Sequence, residues 1–239
     1  MKENKTFNDI GIDGTIDWNR IRKLMVIGIF AACMVLAGDM LLGWGMHDAS
    51  KTGMEGFLSA YLNLPDSRIF WSSFLGLIGI PLEALCCFAV YRLIAPKSRH
   101  FAHIYRTGIL GTLAFAGCGV HVPCLSCVFF YKYMSAANPA AAIDAVVRFG
   151  EFFLLPGMIL FFVFWLIQHY AHIAAFSKGL TPLPGWCWIF CPAVGMAMTM
   201  LLKFFPETPL RNGLTAAWIS IGNLWMFCGL LVMMKKADR

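Results

Sequence analysis

Asp39, Glu83, Glu151 and His121 stand inside, or at the mouth of, stretches otherwise apolar enough to cross a bilayer. A charged group at membrane depth costs roughly 3 kcal/mol or more on insertion scales, so such groups face one another or a wet cavity. Carboxylates near an imidazole can pair, exchange a proton, or act as acid and base on a bound molecule. Asn223 adds an amide in the last apolar stretch. Asp39, Glu83, His121, Glu151 and Asn223 are therefore the candidate ligand-binding residues.

The elements that must position them are membrane helices. With 59% hydrophobic and only 13% charged residues, a chain of 239 residues cannot form a soluble domain without large exposed apolar area. A crossing takes about 20 mostly apolar residues. Six stretches qualify: Leu24 to Met46, Phe70 to Ile94, Thr107 to Tyr131, Gly150 to Ile173, Trp186 to Phe205 and Leu214 to Met234. The expected fold class is all-α, a polytopic transmembrane bundle of six spans with short interfacial helices on the outer side. Its parts are an N-terminal segment 1–23, a membrane domain 24–234 and a tail 235–239.

Basic residues gather on the cytoplasmic side of short loops. With the N-terminus inside, 13 of the 19 Lys and Arg fall on that side, among them Arg20, Arg22, Lys23, Arg92, Lys97, Arg99 and Arg106. Both termini are thus expected in the cytoplasm of a cell-membrane protein. The net charge of +6 is then a topology signal, and no basic run is dense enough for a nucleic-acid partner. The first span has the basic flank of a signal peptide, but no small-residue cleavage site follows it, so it is read as retained. Cys33 lies mid-span, out of place for a lipid-acylation site.

Two outer connections carry helical signals. Met54, Phe57, Leu58, Tyr61 and Leu62 recur with the spacing of a helical apolar stripe. Asn138-Pro139 is an N-cap followed by a proline at the first helical position. Pro206-Glu207-Thr208-Pro209 reads as a tight outer turn.

Depth decides which polar groups could meet. At 1.5 Å per residue, Asp39 lies roughly 10 Å, His121 and Asn223 roughly 15 Å and Glu83 roughly 20 Å below the outer surface, with Glu151 near the mouth. These five can share a cavity opening outward, with a carboxylate within reach of His121. Separate structural roles, such as interhelical hydrogen bonding by Asp39 or Asn223, are the competing reading. Pro81, Pro123 and Pro156 fall close to Glu83, His121 and Glu151, and a proline inside a span frees a carbonyl and bends the helix.

His121-Val-Pro-Cys124-Leu-Ser-Cys127 is the most motif-like string. Zinc needs three or four such ligands, and no second Cys/His pair opposes this one. The Pro-Cys-x-x-Cys fragment lacks the His-x-Glu partner of zinc deaminases. A thiol oxidoreductase would need a second cysteine pair, yet the other cysteines all fall within spans and no outer loop holds one. For the same reason no structural disulfide is expected. A bis-histidine haem site would need two rings at one depth, whereas His169 and His172 lie at the inner end of span four, where they read as interfacial anchors. No metal site and no cofactor is expected. The partners expected are the lipid bilayer and a small-molecule or lipid ligand.

Gly38-Asp39-Met-Leu-Leu, Leu64-Pro-Asp-Ser-Arg68, Gly79-Ile-Pro81 with Tyr91, and Gly119-Val-His121 resemble an uncharacterised family of six-span bacterial integral membrane proteins, a domain of unknown function. The resemblance covers the first two thirds of the chain. It implies that Asp39 and His121 are family features and carries no activity.

Two function classes follow. In one, an outward-facing intramembrane pocket binds or transports a small molecule or lipid, without an ATP-binding loop to drive it. In the other, an intramembrane hydrolase or isomerase acts on a lipid with His121 as acid/base. Reporter fusions after Lys51 and after Ser135 are expected to read as external, and a cytoplasmic reading at either would refute the topology.

Overall fold

The computed structural model describes residues 16–237. Residues 1–15 of the expected N-terminal segment, and residues 238–239 of the tail, lie outside the described residues.

Helix α1 (Trp18–Gly43) starts where the Asp17 side chain accepts the Arg20 N–H at 2.9 Å, which satisfies a backbone donor left open by the first turn. A short α2 (Gly53–Ser59) precedes α3 (Asp66–Cys86) and α4 (Phe88–Ile94). Ser98 caps α5 (Arg99–Phe115), which continues through a π-helical turn, Ala116–His121, into α6 (Val122–Ser135). Asn138 caps α7 (Pro139–Phe149) by accepting the Ala141 N–H at 3.1 Å, as its sequence signal indicated. A second π-helical turn, Gly150–Leu154, leads into α8 (Leu155–Ser177). A 3-10 turn (Gly185–Phe190), α9 (Pro192–Met200) and another 3-10 turn (Leu201–Phe204) follow. Thr208 then caps α10 (Pro209–Ala216), and α11 (Trp218–Ala237) is the last described helix. No strand occurs among the described residues.

The protein is an all-α membrane bundle. Four helices, Trp18–Gly43, Asp66–Ile94, Arg99–Ser135 and Pro139–Ser177, are long and apolar enough to cross a membrane. The pair α10 and α11, bent by 67°, makes a fifth if counted as one span. The remaining apolar helix, Pro192–Phe204, is shorter. These lengths support four to five of the six expected spans. The fifth stretch falls short because Pro192 cannot continue a helix and forces the preceding residue out of the helical region, leaving Cys191 with ψ of 135°.

The prolines also explain the two π-helical turns. Pro123 and Pro156 lack the N–H that would close the helix behind them, and in each case the wider turn sits just before the proline. Pro81 behaves differently: α3 continues past it to Cys86.

Both described ends of the chain meet at one end of the bundle. Ile16 and Trp18 pack on the same core as Met233 and Met234, together with Ile21, Met25, Leu93, Tyr105, Phe176 and Phe227. At the opposite end lie two smaller clusters, one that α2 and α7 close around Leu58, Tyr131 and Val146, and one between the start of α3 and α6 around Leu64, Ile69 and Val128; Tyr61 packs against both. There Lys132 pairs with Asp66 and donates to the Leu64 carbonyl at 2.6 Å, while the Tyr133 hydroxyl donates to Asp66 at 2.7 Å. Phe30, Phe74, Leu77, Ile159 and Leu166 are exposed on the outside of the bundle, where hydrocarbon is their solvent.

The close fit of α8 against the first π-helical turn depends on two glycines. A Cβ at Gly157 would lie 1.9 Å from the Gly119 carbonyl oxygen, so the two backbones touch directly. Gly157→Val is expected to destabilise the bundle by about 1–3 kcal/mol, the usual cost of forcing volume into a packed contact. Thermal unfolding in detergent checks this, and an unchanged midpoint would contradict the contact.

Candidate functional site

A cavity of about 290 Å³ lies between α1, α3, the α5–α6 segment, α8 and α11, and Asp39, Glu83, His121 and Asn223 all line it. Their places follow from the helices. Asp39 sits near the end of α1 and Asn223 near the start of α11, and the two helices run antiparallel, so the residues come level. Glu83 reaches the same space from α3, and His121 from the π-helical turn.

Each polar group can be followed to its partners. The Asp39 carboxyl accepts the Ser220 hydroxyl at 2.7 Å. Glu83, 5% exposed, lies near enough to Asp39 for the two carboxyls to interact, and the Asn223 amide is within its reach. Its Oε1 has no hydrogen-bond partner among the described residues. That is costly: a buried polar atom without a partner forfeits roughly 1–3 kcal/mol, more when it is charged.

The His121 ring lies over Gly76, where any Cβ would meet its Nε2 at 2.0 Å. Its Nε2 lies 3.2 Å from the Ser72 carbonyl oxygen. A carbonyl only accepts, so Nε2–H donates and Nδ1 keeps a lone pair in the neutral ring. The expectation that a carboxylate would orient His121 is therefore corrected, because a backbone carbonyl uncovered by the absence of a side chain at Gly76 takes that role.

Two further expectations change. Glu151 does not join the cavity; it is exposed on the second π-helical turn, away from the lining. His169 and His172 are not interfacial anchors. They are 5% and 1% exposed, because this face of α8, with Ala171 and Ala175, turns inward onto α5. His169 lines the cavity, and its Nδ1 donates to the Trp165 carbonyl at 2.6 Å. Nε2 then carries a lone pair that finds no partner among the described residues. His172 instead stacks on Phe176 within the core, with ring centroids 4.6 Å apart.

Sequence reading missed Trp165, Gln168, His169, Trp218 and Ser220 as cavity residues. A signal was present: Trp165, Gln168 and His169 recur at helical spacing, and Ser220 precedes Asn223 by one turn. Cys124 lines the cavity, whereas Cys127 turns to the α7 cluster. All nine cysteines are free. Among the described residues no group of three His, Cys, Asp or Glu could hold a metal ion.

A family profile matches residues 1–237, nearly the whole chain. The chain belongs to DUF6796, a family of unknown function. Membership carries the resemblance beyond the first two thirds, through α9, α10 and α11. No curated protein and no solved structure matches the chain significantly. The cavity is thus read from its own chemistry.

The cavity lining ends, toward α2, at Leu42 and Tyr61. The loop that follows α1 is fastened there to the start of α10. Glu207 accepts from His47 Nδ1 at 2.5 Å and from the Asn212 amide at 2.7 Å, and the same amide donates to the Gly45 carbonyl at 2.7 Å. The Asn212 amide, ahead of His47, holds the Glu207 carboxyl at about 2, well below its ordinary 4.5. A depressed carboxyl stabilises the fold above its unfolded value, so this contribution is complete above about pH 4.5 and is lost as pH falls toward 2. With His47 and Glu207 35% and 32% exposed, the fastening is worth about 1 kcal/mol or less. Glu207→Gln is expected to lower the unfolding midpoint slightly at pH 7 and to flatten its acid limb between pH 4.5 and 3. Parallel melting curves for both proteins would show no such convergence if Glu207 were idle.

Proposed function

We propose that this DUF6796 protein is a multi-pass protein of the cell membrane that binds or transports a small molecule or lipid in its intramembrane polar cavity. One observation carries the reading: Glu83 Oε1 and His169 Nε2 are both buried in the cavity wall without hydrogen-bond partners among the described residues. Native proteins rarely leave such atoms unmet, so a bound molecule or ordered water completes them. The volume of 290 Å³ lies at the lower edge of the range of small-molecule sites. Six spans and cytoplasmic termini fit this reading, because the described chain ends share one end of the bundle and the basic residues concentrate there.

The enzymatic alternative, a hydrolase or isomerase with His121 as acid/base, has less support. An acid/base histidine is normally oriented by a carboxylate, and His121 is held by the Ser72 carbonyl.

Protein extracted directly from membranes into lipid nanodiscs, then denatured with organic solvent, should release an enriched small molecule or lipid detectable by mass spectrometry. Asp39→Asn with Glu83→Gln should lower that recovery at least tenfold. The double variant should fold, because replacing buried carboxyls with near-isosteric amides removes charge without volume. Equal extracts from both proteins would defeat the proposal.

A further inference from the structure

The proposed ligand site has a chemical bias that narrows its occupant. Asp39 and Glu83 both line the cavity, and no Lys or Arg among the described residues does. Two carboxyls inside a bilayer either keep their protons or share the space with a positive group, and no side chain of the lining supplies one, so an entering cation is the group that would let them ionise.

The hydrogen-bond inventory points the same way. Ser220 donates to Asp39, Thr112 donates to Gln168, and Gln168 donates to the Tyr105 hydroxyl. His169 Nδ1 and His121 Nε2 donate to the backbone carbonyls of Trp165 and Ser72. These five donors are committed to neighbours, while the buried atoms left without partners on residues that line the cavity, Glu83 Oε1 and His169 Nε2, can both accept. A group that satisfies several acceptors at once and brings positive charge is an ammonium, with three N–H donors on one centre.

The rest of the wall sets the body of the molecule. Trp165, Trp218 and Phe161 supply aromatic surface, which suits both an apolar body and a cation over a ring face. At about 30 Å³ per water, the cavity holds the equivalent of roughly ten waters. That is room for an ammonium group on a short aromatic or aliphatic chain, and too little for a two-chain lipid.

Resting on the small-molecule reading above, we propose that the cavity takes a small primary amine as its ammonium ion, held between Asp39, Glu83 and His169 with its body against Trp165 and Trp218. The ligand class is thus cationic, and Asp39 and Glu83 are its counter-charges.

The test uses the full chain in nanodiscs and three probes of one shape: 2-phenylethylamine, 2-phenylethanol and phenylacetate. Quenching of tryptophan fluorescence and the shift in unfolding midpoint report binding, since Trp165 and Trp218 line the site. The amine should bind at least tenfold more tightly than the alcohol, and phenylacetate should not bind. Asp39→Asn and Glu83→Gln should each remove the preference for amine over alcohol, whereas Glu151→Gln, remote from the cavity, should leave it intact. Binding of the alcohol or the acid as tight as that of the amine overturns the cationic assignment and leaves the small-molecule reading standing. If none of the three binds, the molecule extracted from native nanodiscs decides. An amine recovered there supports the assignment, a molecule without one overturns it, and an empty extract removes both readings.

Discussion

In hydrocarbon there is no water to drive helices together, so they come as close as their side chains permit and hold by contact and hydrogen bonding. In this bundle the closest approaches are set by glycines. Gly119 against Gly157 brings α8 onto the first π-helical turn, and Gly38 and Gly79 bring α1 and α3 together, with Val35 reaching Gly79. Gly76 leaves the flat space on which the His121 ring rests. Without these contacts the helices would stand farther apart, and the polar groups of α1, α3 and α8 would have no common cavity.

The same scarcity of water governs the polar groups. Most of them answer to a neighbour: Asp39 to Ser220, Gln168 to Tyr105 and Thr112, Thr199 to the Gly195 carbonyl, and Trp225 to the Ile189 carbonyl. These bonds fasten α1 to α11, α5 to α8, and α11 to the turn before α9. Against that background, Glu83 and His169 stand out among the residues that line the cavity, because the bundle holds them in place and leaves them incomplete.

Much of this was legible in the sequence. Apolar length located the four long helices, and Asn138-Pro139 located the start of α7, because both signals are local. Rise per residue brought Asp39, Glu83, His121 and Asn223 to one region, since depth along a helix is a one-dimensional quantity. Rotation about the helix axis is a different matter. Glu151 was misjudged because its depth was known and its facing was not, and His169 because α8 runs on to Ser177, which leaves that ring inside the bundle and not at its end. The partner of His121 was also hidden, for it depends on a missing side chain at Gly76 on another helix. The break at Cys191 and Pro192 was visible as a proline, yet its effect on the length of the span was not.

The π-helical turns explain part of that failure and reach further. Such a turn holds about one residue more than an α turn, so everything after it is rotated by about 100° from where unbroken α periodicity would put it. The face that α6 presents is therefore set by a surplus residue within Ala116–His121, and not only by the order of its own side chains. Residue count and surface identity are decoupled at that point. Loss of a single glycine there would leave α6 with the same composition and the same length, yet swing Cys124 and Leu125 off the cavity and bring a different pair of side chains to its wall. Chain length through this segment is accordingly as much a determinant of the cavity's chemistry as the residues that line it.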